Sequence, residues 1–91
     1  MEIEKSCLIR NKMGLHARPA AKLVSAANKF PGCEVTFSKD GQDVNGKSIM
    51  GVLMLAAAKG TSITVKAEGD DAQACVDAIS DLFERGFDEA M

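Results

Sequence analysis

The chain has one histidine, and it stands at the predicted start of a helix. His16 lies in the run GLHARPA at residues 14–20, with Arg18 two positions later. A helix start offers unpaired backbone N–H groups and the positive end of the helix dipole, and both favour an anion. The imidazole adds a nucleophilic nitrogen, and the guanidinium adds a planar cation suited to phosphate oxygens. These residues predict that His16 accepts a phosphoryl group covalently, with Arg18 contacting its oxygens.

A second run, GQDVNGKS at residues 41–48, satisfies the P-loop pattern G-x-x-x-x-G-K-[ST]. A true P-loop follows a buried parallel strand and wraps phosphates ahead of a long helix. Here Gly41 lies in a predicted hairpin turn and Val44 in a short predicted strand. We interpret the pattern as a chance match, which disfavours a small nucleotide-binding enzyme.

Ser48 admits two interpretations. A serine just before a helix is an ordinary N-cap, worth about 1 kcal/mol. It is also a favourable place for a phosphate, because a phosphoserine at a helix start meets free N–H groups. The residues alone do not choose between a cap and a regulatory phosphorylation site, and both can hold.

The helix that follows Ser48 is predicted to run to about residue 58 and is apolar on nearly every side. A short helix in a small protein cannot bury all of these side chains, so part of it is expected to be exposed for a protein partner. The predicted partner-binding residues are Ile49, Met50 and Leu53 on this helix, joined by Leu15 and Ala20 near His16.

The elements that position these residues follow from the apolar periodicity. Alternation and three-to-four spacing predict the order strand, helix, strand, strand, helix, strand, helix. The predicted strands cover about residues 3–9, 33–38, 42–45 and 62–67, and the helices about residues 17–29, 48–58 and 72–83. Residues 70–73 are expected to form a capping box of acidic type. The fold class is therefore α+β: an open-faced two-layer sandwich with a largely antiparallel sheet and helices on one face.

Composition narrows the class of protein. A chain of 91 residues is one domain, and neither a 20-residue apolar run nor a signal peptide is found, which predicts a cytoplasmic protein without membrane insertion. The three cysteines, Cys7, Cys33 and Cys75, are expected to be buried free thiols. One histidine and no paired cysteines disfavour a metal site.

Charge changes sign along the chain although the net charge is only −2. Residues 1–30 carry six basic and two acidic side chains, whereas residues 67–91 carry one basic and eight acidic. The basic part contains His16, which favours an anionic ligand or acidic partner proteins. Nucleic acid is not expected, because the balance is negative and there is no Trp or Tyr for base stacking.

Two runs, GLHARPA at residues 14–20 and KSIMGVL at residues 47–53, resemble the histidine-containing phosphocarrier (HPr) family of the phosphoenolpyruvate-dependent phosphotransferase system. The resemblance covers essentially the whole chain. It implies a four-stranded antiparallel sheet with three helices on one face, in the order βαββαβα. It also implies a monomeric phosphocarrier that relays phosphate stoichiometrically, is not an enzyme and needs no cofactor.

The resemblance also implies roles for individual residues. His16 matches the histidine that receives phosphate from enzyme I and donates it to enzyme IIA components, and Arg18 matches the arginine that contacts the phosphate. Ser48 matches the serine that HPr kinase/phosphorylase modifies in many bacteria. The docking residues of the family match Ile49, Met50 and Leu53. Two alternatives stay open: a paralogue of the nitrogen-related branch, and an adaptor that acts only through serine phosphorylation.

Overall fold

The computed structural model describes residues 1–91 and has the predicted order of elements. The strands are β1 (Glu2–Leu8), β2 (Cys33–Lys39), β3 (Gln42–Asn45) and β4 (Ser62–Gly69), and the helices are α1 (Ala17–Asn28), α2 (Ile49–Leu53) and α3 (Ala72–Glu84). A short helical turn, Gly86–Asp88, follows α3. The order βαββαβα is therefore confirmed.

The four strands form one antiparallel sheet in the order β1-β4-β2-β3. The register places Phe37 of β2 between Val65 of β4 and Val44 of β3, and all three side chains are buried. The residues that alternate with them face the open side. This period of two leaves one face of the sheet apolar and the other polar, as predicted.

The three helices cover the apolar face of the sheet. Helix α3 packs on β1 and β4, and α1 contacts both α2 and α3. A cluster of 23 buried apolar residues joins the two layers. The longest helix has only 13 residues, so none reaches the length and apolarity that crossing a membrane requires.

The turn between β2 and β3 rules out the P-loop. Asp40 and Gly41 have φ angles of 50° and 82°, and the flanking Lys39 and Gln42 pair with each other. Two successive positive φ angles define the tight two-residue turn that fits the twist of a hairpin. Gly41 thus lies in a hairpin turn and Val44 in β3, where no loop is available to wrap a phosphate.

The end of α2 and the cap of α3 differ from the prediction. Helix α2 ends at Leu53 rather than near residue 58, because Ala56 has a left-handed φ of 48°. At the start of α3, Asp71 also has a positive φ, of 60°, and its side chain makes no cap hydrogen bond. The predicted acidic capping box is therefore wrong.

Candidate functional site

The predicted nucleophile, His16, is the N-cap of α1. Its backbone is extended (φ −99°, ψ −170°), and the helix begins at Ala17. The loop before it is fixed to the segment after α2, because Leu15 N–H donates to the Ala57 carbonyl at 2.9 Å. Gly14, with a φ of +71°, allows this approach: a Cβ there would be 2.7 Å from the same carbonyl oxygen. The loop therefore holds His16 at a defined place at the helix start.

The start of α1 presents unused hydrogen-bond donors beside His16. The N–H groups of Ala17 and Arg18 have no acceptor within the chain, as expected for the first turn of a helix. The Arg18 side chain is exposed and makes no hydrogen bond or salt bridge. The structure thus places His16 and Arg18 at one electropositive helix end, with donors free for an anion.

A residue that the sequence did not reveal, Glu89, contacts the imidazole. Its Oε1 lies 2.9 Å from His16 Nε2 and 3.0 Å from Asn11 Nδ2. The Glu89 side chain is only 13% exposed, against 37% for His16. The hydrogen bond from His16 holds the pKa of Glu89 below its ordinary value. Burial opposes this effect, whereas the Asn11 amide and the positive charge of Arg18 add to it.

The carboxylate determines which ring nitrogen carries the proton. An ionised carboxylate only accepts hydrogen bonds, so Nε2 must be the protonated nitrogen that donates to Glu89. In the neutral ring the other nitrogen, Nδ1, then carries a lone pair. His16 makes no side-chain cap hydrogen bond to α1. Nδ1 is therefore the ring nitrogen that is free to act as a nucleophile.

Asn11 holds the Glu89 carboxylate in place beside His16. The residue is fully buried, and its Nδ2 donates both to Glu89 and to the Gly14 carbonyl at 2.7 Å. Because both partners are acceptors, the orientation of the amide is fixed. Asn11 therefore ties the carboxylate to the loop that carries His16. This role could not be inferred from the sequence, because Asn11 and Glu89 are 78 positions apart.

Ser48 is the N-cap of α2, as predicted. Its Oγ accepts a hydrogen bond from Gly51 N–H at 3.1 Å. The neighbouring Lys47 is turned away, because its Nζ donates to the carbonyls of Phe30 and Cys33 at 2.9 and 2.6 Å. The hydroxyl is half-buried and no basic side chain pairs with it.

The predicted partner surface is partly corrected. Ile49 and Met50 are exposed by 44% and 74%, and Leu53 is half-buried. Leu15 and Ala20 are buried in the core, so their side chains do not belong to this surface. Their prediction from proximity to His16 was wrong, because Ala20 lies on the face of α1 that packs against the protein interior. Met54, immediately after α2, is 65% exposed and was not among the predicted residues.

The three cysteines are free and buried, as predicted. Burial, with a smaller contribution from the neighbouring Cys33, raises the pKa of Cys75 to about 11, and the charge of Lys47 opposes the shift. Burial also raises the pKa of Cys7, against a hydrogen bond from Ser80. None of the three thiols lies in the His16 site.

Comparison with known proteins gives one consistent result. The family model described as "PTS HPr component phosphorylation site" matches residues 3–85. The phosphocarrier protein HPr of Xylella fastidiosa strain 9a5c is 47% identical over 87 residues, which cover 96% of this chain and 97% of that protein.

Solved structures agree. The crystal structure of HPr from Thermoanaerobacter tengcongensis superposes with a TM-score of 0.92 at 43% identity, covering 98% of this chain and 99% of that one. Crh, described as a catabolite repression protein of Bacillus subtilis, superposes with a TM-score of 0.70 at 41% identity, with 91% of both chains covered. That structure is described as a dimer with a swapped domain.

Proposed function

The chain belongs to the HPr family of the phosphotransferase system, and on this premise we propose that it is a phosphocarrier that acts through His16. It accepts a phosphoryl group from phosphorylated enzyme I and passes it to enzyme IIA components, in the cytoplasm and as a monomer. It is a stoichiometric relay that regenerates only when a partner removes its phosphate. The observation that carries the proposal is the place of His16 and Arg18 beside the unpaired N–H groups of α1.

The transfer step follows from the state of the ring. The Nδ1 lone pair attacks phosphorus, an N–P bond forms, and the bond between phosphorus and the donor breaks with its electron pair leaving on the donor. The proton on Nε2 stays on the ring, which therefore becomes positively charged. The reverse sequence delivers the phosphoryl group to the next protein.

Arg18 and the backbone of α1 bind the transferred group. The phosphoryl group carries negatively charged oxygens both during transfer and when it is bound to His16. These oxygens can accept hydrogen bonds from the guanidinium and from the N–H groups of Ala17 and Arg18. Because these donors have no other partner, no existing hydrogen bond must break when phosphate arrives. A positioned electropositive end of this kind stabilises the group in transfer without reorganisation.

Partner proteins are expected to dock beside this site. Ile49, Met50 and Leu53, extended by Met54, form the docking patch of α2. Exposed methionines adapt to different surfaces, which suits a carrier that meets a donor and several acceptors. The positive charge of residues 1–30 favours acidic partner surfaces around the patch.

Phosphorylation of Ser48 is proposed as regulation of docking. The hydroxyl lies immediately before Ile49 and Met50, so a phosphate there would place about two negative charges beside the apolar patch. No basic side chain pairs with Ser48 to neutralise that charge.

Treatment with HPr kinase/phosphorylase and ATP should phosphorylate the parent protein but not the Ser48→Ala variant. The phosphorylated parent should then accept phosphate from enzyme I more slowly than the unphosphorylated parent. Equal rates would contradict the regulation.

A second candidate function is favoured by the likeness to Crh. An adaptor acting through Ser48, or a paralogue of the nitrogen-related branch, would share the fold and the α2 patch. A pure adaptor does not need His16, whereas the relay does. Sugar uptake in a strain carrying His16→Ala separates the two: loss of uptake supports the relay, and unchanged uptake supports a regulatory role.

The relay itself is tested with labelled phosphoenolpyruvate and enzyme I, followed by addition of an enzyme IIA domain. The parent should gain one acid-labile phosphate per chain and lose it to the acceptor, and His16→Ala should gain none. Lys29→Ala, an exposed change at the other end of α1, is the matched control and should behave as the parent. Equal labelling of His16→Ala and the parent would overturn the proposal.

A further inference from the structure

The segment that carries Glu89, residues 86–91, returns to the body of the protein after α3. Phe87 is fully buried, and its ring lies against Phe83 with centroids 5.2 Å apart. The Phe87 carbonyl accepts a hydrogen bond from Lys22 Nζ of α1 at 2.6 Å. The segment is therefore anchored to two helices immediately before it reaches His16.

The residues that follow Glu89 are also held by hydrogen bonds. Lys12 N–H donates to the Ala90 carbonyl at 2.7 Å, and Lys59 Nζ donates to the Met91 carbonyl at 3.0 Å. Glu89 is thus fixed between an anchor at Phe87 and an anchor at Ala90, both of them independent of the imidazole.

The backbone of the segment has a left-handed conformation that turns the Glu89 carboxylate toward His16. Gly86, Phe87 and Asp88 have successive φ angles of 62°, 57° and 59°. Left-handed backbone is unfavourable for residues with a side chain and persists where surrounding contacts impose it. This reversal follows the end of α3 and directs residue 89 toward the start of α1.

We propose that Glu89 is a positioning residue for phosphoryl transfer: its carboxylate orients the His16 ring, keeps the proton on Nε2 and faces the positive charge that the ring gains on phosphorylation. The inference deepens the proposed function and rests on it. A carboxylate behind a reactive histidine fixes the tautomer and stabilises the charged ring in this way in other proteins.

The geometry indicates that Glu89 positions the His16 ring and does not block access to Nδ1. Glu89 contacts Nε2, the nitrogen that does not attack, so the carboxylate leaves Nδ1 open. Asn11 shares the charge of the carboxylate through its own hydrogen bond and limits the repulsion that an incoming phosphate would meet. As the N–P bond forms, positive charge develops on the ring, and the carboxylate 2.9 Å from Nε2 stabilises it.

Three full-length variants test the inference. Glu89→Ala removes the acceptor and the charge, Glu89→Gln keeps an acceptor oxygen without the charge, and Asp88→Asn neutralises an exposed carboxylate one position away as the matched control. Nitrogen-15 NMR of the imidazole reports the ring proton on Nε2, and the rate of phosphorylation by enzyme I reports transfer. A purely structural role would not change the ring signals.

We expect Glu89→Ala to lose the hydrogen-bonded Nε2 signal and to lower kcat/KM for phosphorylation about tenfold, by analogy with other groups that orient a reactive ligand. Glu89→Gln should recover part of the rate, and Asp88→Asn should match the parent. An unchanged or faster rate for Glu89→Ala would overturn the inference, as would a slower rate with unchanged ring signals. If the parent itself gains no phosphate, the proposed function fails instead.

Discussion

The two ring nitrogens of His16, the proposed phosphorylation site, have different surroundings. Nε2 is bound by a carboxylate at 2.9 Å, and Nδ1 is left beside a helix start with free donors. The run GLHARPA predicted the nucleophile, the cation and the helix start. It could not predict Glu89, because that residue reaches the ring only through the path of the chain after α3, 73 positions away.

Arg18 gives the sharpest test of anion binding at the residue scale. Arg18→Ala should lower kcat/KM for phosphorylation by enzyme I about 10- to 100-fold, because a hydrogen bond to a charged group contributes about 1.5–3 kcal/mol. The free energy of unfolding should change by less than about 0.5 kcal/mol, since the side chain is exposed and has no partner. Urea denaturation checks this. A parent-like rate with Arg18→Ala would show that another group binds the phosphate.

The thiols provide a second test at this scale. All three are buried, and with a pKa of about 11 Cys75 is almost entirely protonated at pH 7.5. Since the thiolate is the reactive form, we expect a disulfide reagent to label the native protein slowly and all three cysteines quickly in guanidinium chloride. Fast labelling of the native protein would contradict the described core.

Among the secondary-structure elements, apolar periodicity was sufficient to predict the type and order of the helices and strands. The residues Asp40 and Gly41 were sufficient to predict the hairpin between β2 and β3. The end of α2 could not be predicted, because an alanine, Ala56, takes a left-handed backbone that its residue type does not favour. The Ala57 carbonyl is then used by Leu15, a tertiary contact. Helix α3 begins at Ala72, as predicted, but its predicted capping box is absent because Asp71 takes a positive φ and its side chain does not cap.

The docking patch on α2 is testable with a matched pair of changes. Ile49 and Leu8 are both 44% exposed, but Ile49 is on α2 and Leu8 is on the edge strand β1. Ile49→Asp should raise the KM of enzyme I for the carrier about tenfold or more, because a charge enters an apolar contact. Leu8→Asp should leave the KM unchanged. Equal effects of the two changes would argue against α2 as the docking surface.

At the scale of the whole molecule, the basic first third and the acidic last third meet at His16. The C-terminal segment is part of the core through Phe87, and it brings an acidic residue to the most basic region. The charge gradient is visible in the sequence, but the contact between the two regions is not. A tail of six residues has no periodic pattern from which its position in the fold could be predicted. His16 could therefore be singled out by its motif, whereas its contact with a carboxylate could be found only from the structure.

Phe87 tests whether the tail is structural. Phe87→Ala should lower the free energy of unfolding by about 3–5 kcal/mol, the cost of removing a fully buried phenylalanine. Leu82→Ala, at a half-buried position of α3, should cost less and serves as the comparison. Urea denaturation followed by circular dichroism measures both. A loss below about 1 kcal/mol for Phe87→Ala would mean that the segment does not pack as described.

His16 is proposed to carry the phosphoryl group on Nδ1. Phosphorus-31 and nitrogen-15 NMR of the isotopically labelled protein, after incubation with enzyme I and phosphoenolpyruvate, measures this directly. We expect a single phosphohistidine with phosphorus coupled to Nδ1 of His16, and a proton remaining on Nε2. Phosphorus coupled to Nε2, or bound anywhere other than His16, would contradict it.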